Sequence, residues 1–147
     1  MRLLAVLTFA LVPICVSAQE SYGVMLNDVT DAKGNRIQFH TDTDRLVRTP
    51  DWSPGTQDPP LTVTAVTRIA IEAGKRRLPK ADDIAIQFIT LRKADAYGGS
   101  PPNKFTRWYY QVSVSPIVGG ETYFKRSSMI DIVILLDGTV VEPTPAK

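Results

Sequence analysis

The sequence predicts an α+β fold: one helix packed on an antiparallel sheet of three to four strands, preceded by an N-terminal β-hairpin. Three observations carry that expectation. Ala65, Val66, Ile69, Ala70 and Ala73 recur at the i, i+3, i+4 spacing of one helix face. The stretches Asp82–Arg92, Phe105–Pro116 and Glu121–Leu136 then alternate, or run apolar, in the manner of strands. Gly34-Asn35, Gly119-Gly120 and Asp137-Gly138 supply turns that accept positive φ between such strands. A run of strands with a single helix makes α+β, with the helix laid across one sheet face.

In chain order, the first element is a leader. Arg2 precedes an apolar run from Leu3 to Cys15, and Val16-Ser17-Ala18 offers small residues before a cut. The run falls short of the roughly 20 residues that span a bilayer, so no stable membrane span is expected after cleavage. Ile14 occupies the place where a lipoprotein signal carries a small residue. Residues 1–18 are therefore read as a signal peptide and Gln19 as the mature N-terminus. The only cysteine, Cys15, leaves with it, so the mature chain has no disulfide and must fold on its apolar core. That chain suffices for one domain. The missing cysteines and the absence of any Asn-x-Ser/Thr sequon point to a bacterial envelope protein, periplasmic or secreted.

Residues 19–60 read as an N-terminal hairpin and a proline-rich connector. Tyr22–Val29 and Arg36–His40 flank the polar turn, and Pro50, Pro54, Pro59 and Pro60 exclude a long regular element after it. Trp52 among those prolines is either a plug that pins the loop to the core or an exposed anchor. Residues 61–143 form the α+β domain. Val63, Ala65, Ile69 and Ile71 alternate as in a strand, but a helix over Val63–Arg77 is favoured: Thr62 caps it, Leu61 and Val66 make a hydrophobic staple, and Pro79 stops it. In the first strand Ile84, Ile86 and Phe88 share a face, then Ile89 and Leu91 take the other, which suggests a bulge. A Gly/Pro loop is expected from Ala94 to Pro102. Next, Trp108, Tyr110, Val112 and Val114 alternate with Tyr109, Gln111, Ser113 and Ser115, so the second set is expected to face water. Residues 144–147 are read as a tail.

Ile132–Leu136 is apolar without a break. A helix can cover Ile130, Ile132, Ile134 and Leu136 but not Met129, Val133 and Leu135. The N-terminal hairpin, with Val24, Leu26, Ile37 and Phe39, is the favoured second cover; another copy of the chain is the alternative.

A helix opened by Leu61-Thr62, a strand carrying Trp108-Tyr109-Tyr110 and a last strand ending in Leu136-Asp137-Gly138-Thr139-Val140-Val141 resemble the small exported bacterial modules of PepSY type. More loosely, residues 61–143 are similar to the cystatin-like sheet wrapped on a helix. The resemblance implies binding, in some cases restraint of peptidases, in place of catalysis. It supplies no functional residues.

The residues themselves offer little chemistry. His40 is the sole histidine, and in an extended chain His40, Asp42 and Asp44 would share a face, a candidate metal set; solvated turn residues are the plainer reading. No Gly-x-Ser-x-Gly elbow and no phosphate loop occurs. The net charge of +2 gives no electrostatic case for nucleic acid. No enzyme activity and no cofactor are expected. The candidate binding residues are Tyr109 and Gln111 on the outward sheet face, Arg107 beside them, and Trp52. The expected function is an exported, non-catalytic binding or inhibitory module with a protein partner in the envelope. The alternatives are a self-associating structural component, then a metal- or carboxylate-dependent enzyme.

Overall fold

The computed structural model describes residues 23–31, 34–99, 101, 103–125 and 128–146. The expected leader, its cleavage site and Cys15 lie outside the described residues.

The chain forms two antiparallel sheets, which corrects the expectation of a single small sheet beneath one helix. The first sheet joins β1 (Gly23–Thr30), β2 (Arg36–Asp42) and β8 (Pro143–Pro145) in the order β1-β2-β8. The second joins β3 (Asp83–Gly98), β4 (Asn103–Val118), β6 (Ile130–Leu135) and β7 (Val140–Val141) in that order, with β5 (Glu121–Thr122) on the end of β4. Among the described residues two helices accompany them, α1 (Thr43–Arg48) and α2 (Val63–Arg77).

Local chemistry accounts for most boundaries. The Thr62 hydroxyl accepts from the Ala65 N–H at 3.3 Å, and α2 spans the expected Val63–Arg77. The helix α1 is an element that the proline-rich reading of 19–60 did not include. Asp42 caps it, accepting from the Arg45 N–H at 2.6 Å, and Leu46 anchors it as a fully buried side chain. The prolines that argued against structure there all come after it.

Two further corrections concern length. β3 continues to Gly98 instead of giving way to a loop at Ala94, because Ala94 and Ala96 are buried beneath the first sheet. Thr144 and Pro145, assigned to a tail, belong to β8, where Pro143, Thr144 and Pro145 pair with Phe39, Gln38 and Ile37. β8 is the outer strand of a three-stranded sheet, a position that tolerates proline.

A bulge is present, but it lies between Ile86 and Phe88, before Phe88 and not after it, so Phe88 does not share the face of Ile84 and Ile86 as expected. It places Ile86, Ile89 and Leu91 on one face of the second sheet with Tyr110, Val112 and Val114, and Phe88, Thr90 and Arg92 on the other with Ser113, Gln111 and Tyr109. The first face carries Ile130, Ile132 and Ile134 as well and packs on Val66, Ala70 and Ala73 of α2. Val133 and Leu135 point the other way, onto Leu26 and Phe39 of the first sheet. The molecule is thus three layers deep: helix, five-stranded sheet, three-stranded sheet. The second cover of the apolar terminal strand is the N-terminal hairpin. Fully burying each such aliphatic side chain is worth about 1.5–3 kcal/mol, so an unbroken apolar strand is what two covered faces select.

Candidate functional site

Register sets three rows across the face of the second sheet that looks toward the first. Phe88, Ser113 and Asp131 form one row, Thr90, Gln111 and Val133 the next, and Arg92, Tyr109 and Leu135 the third. Leu26 and Phe39 close over Tyr109, Val133 and Leu135. The polar row is not closed over in the same way. It floors a cleft of about 680 Å³, roofed by Asn27 to Asp31 of the β1 end and by Ile37 and Phe39 of β2. That volume lies within the roughly 300–1,000 Å³ usual for ligand sites.

The floor is held rigidly. The Asp131 carboxylate accepts from Gln111 Nε2 at 2.9 Å and from Ser113 Oγ at 2.6 Å. Arg77 leaves the last turn of α2, rounds the sheet edge and donates from Nη1 to the Asp131 carbonyl at 2.5 Å. Its guanidinium carbon stands 6.0 Å from the centre of the Phe39 ring, within reach of a cation–π contact. Burial lowers the Arg77 pKa, against the raising effect of Glu142 and Asp131. On the roof, Arg36 grips Asp28 through Nε at 2.9 and 2.8 Å, and this bond holds the Asp28 carboxyl below its ordinary value.

Asn27 and Gln111 line this cleft, and each keeps one buried side-chain atom, Nδ2 and Oε1, without a hydrogen-bond partner. Phe88 stands at the cleft 63% exposed. Arg92, also lining it, has no ion-pair partner among the described residues. The arrangement offers a cation and an apolar ring beside a fixed polar floor.

Of the sequence candidates only Gln111 belongs to the cleft. Tyr109 is corrected: it is 2% exposed, and its hydroxyl donates to the Leu26 carbonyl. It lies on the expected strand face, but that face is covered by the first sheet and not by water. Arg107 lies outside the cleft, largely buried, with Nη1 3.3 Å from Asp51 and its guanidinium 5.3 Å from the Phe105 ring centre. Trp52 is the plug, not the anchor. It is buried edge-on against Trp108, ring centres 6.1 Å apart, and Nε1 donates to the Gln57 carbonyl at 2.9 Å. The metal candidates do not converge. His40 Nε2 lies 3.2 Å from Gln38 Oε1, Asp42 is spent as the α1 cap and Asp44 lies in the first turn of that helix. Among the described residues no three His, Cys, Asp or Glu side chains gather to hold a metal.

Sequence reasoning missed Asp131, Arg77 and Asn27. Asp131 had a signal, as the one acid within the otherwise apolar Met129–Leu136. Arg77 had none, because it ends the run Lys75-Arg76-Arg77, which reads as a solvated helix terminus. No protein-family model, curated protein or solved structure matches the chain.

Proposed function

We propose that the chain is a non-catalytic binding module of the bacterial envelope and that it holds a protein partner through the cleft between its sheets. The observation that carries this reading is the cleft itself, floored by Gln111, Ser113 and Asp131 and bordered by the exposed ring of Phe88 and by Arg92. Both oxygens of Asp131 are engaged by neutral donors, which suits a fixed acceptor better than a group that transfers protons.

The test is affinity capture from envelope extract of the source organism. The chain from Gln19 carries a C-terminal tag, and a variant with Asn27→Leu and Gln111→Leu serves as comparison after circular dichroism shows it folded. The expected result is a partner retained by the parent and lost by the variant. Identical captured sets would remove the cleft from the account.

A further inference from the structure

The outer edge of β3 is open. β4 takes one side of this strand, and among the described residues no strand pairs with the other. β1, the outer strand of the first sheet, lies against β3, so both open edges border the cleft. Three β3 side chains face that way, Phe88, Thr90 and Arg92, and all are exposed. Resting on the binding-module reading above, we infer that the partner enters as an extended, acidic peptide strand that adds to the β3 edge between Phe88 and Arg92.

The backbone supplies the affinity in such an addition, and the side chains facing one way supply the selection. Phe88 and Arg92 are four residues apart, about 13 Å at roughly 3.3 Å per residue. A strand paired alongside presents its own side chains at the same spacing, so an apolar residue over Phe88 and a carboxylate at Arg92 are four positions apart in the ligand. Nearby acids are already engaged: Asp28 by Arg36, Asp95 by Lys104 and Thr106, Asp131 by Gln111 and Ser113. Arg92 itself forms no ion pair among the described residues, so its guanidinium is open to a ligand carboxylate. A second copy of this chain is the less suited occupant, since the consecutive cations Arg92-Lys93 and the bulge before Phe88 are devices that discourage like edges from pairing.

A display library of random octapeptides, panned against the chain from Gln19, tests this. Enriched sequences are expected to carry Asp or Glu four positions from an apolar residue. Arg92→Glu, on the solvent-exposed side of the strand, is expected to weaken them roughly tenfold and to turn the preference toward Lys and Arg. N-methylation of the ligand amides that face the edge is expected to abolish binding, and bound peptide should slow amide exchange along β3. Enrichment without acids, indifference to Arg92→Glu, or equal binding of the N-methylated peptide each overturns the inference. So does a chain that sediments alone as a dimer with β3 already protected, because a second copy then holds the edge. If no peptide is enriched while the cleft variant still loses its captured partner, the peptide inference fails and the cleft reading stands.

Discussion

The Tyr109 hydroxyl donates to the Leu26 main-chain carbonyl, so β4 of the five-stranded sheet is bonded directly to β1, the outer strand of the three-stranded one. Both residues are buried. Tyr109→Phe keeps the ring and strands the carbonyl, at an expected loss of about 1–3 kcal/mol. Urea unfolding should show the midpoint fall with the slope unchanged, since the surface exposed on unfolding is the same. An unmoved midpoint would mean that apolar contacts alone hold the two sheets together.

The same burial governs alkaline stability. Desolvation raises the pKa values of both Tyr109 and Tyr110 above the ordinary tyrosine value. A folded value above the unfolded one stabilises the fold fully below about pH 10, and that contribution is lost as pH rises through the folded values. Phenolate absorbance should therefore lag for these two residues until the near-ultraviolet circular dichroism collapses. Tyr109→Phe should remove one part of the late step, and a single early titration with the dichroism intact would contradict the placement of both rings.

Acid acts through the opposite sign. Asp28, Asp83 and Asp95 all have lowered pKa values, held down chiefly by the Arg36 side chain, the Ile84 N–H and the Thr106 hydroxyl respectively. Depressed folded values give stability that is present above about pH 4 and lost as pH falls through them. The melting temperature is expected to fall only below that point. Asp28→Asn should flatten the fall, and an equal acid slope in the variant would show that the Arg36 pair does not contribute.

How much of this was legible depended on whether a pattern has one physical cause or two. The helix was legible because Thr62, the Ala65–Ala73 stripe and Pro79 agree on its ends. The covered terminal strand was legible because unbroken apolar residues require two covers. The outward face of β4 was not. Gln111 and Ser113 read the same whether they meet water or a polar cleft, and Tyr109 between sheets alternates like Tyr109 in solvent. β8 was hidden by its prolines, which exclude a central strand but not an outer one. Arg77 was hidden by its basic neighbours, and only tertiary structure separates the guanidinium that rounds the sheet edge from those that do not.

A last expectation concerns the seam between α2 and β3. Gly74 is buried, and a Cβ built there would stand 3.0 Å from Ile84 Cγ2, closer than side chains normally approach. Glycine within a helix costs about 1 kcal/mol relative to alanine, so Gly74→Ala gains propensity and meets a clash at once. Ile84 is 5% exposed and has little room to yield. Gly74→Ala alone is therefore expected to destabilise, by about 1–3 kcal/mol of overpacking offset by that gain. Ile84→Ala alone should cost about 2–5 kcal/mol for the lost side chain and the space it leaves. Together they should do better than additivity, because alanine at 84 carries neither the Cγ2 nor the Cγ1 that the new methyl would meet, and the propensity gain is released. A double-mutant cycle in urea checks this; additive losses would mean that α2 and β3 shift apart instead of clashing.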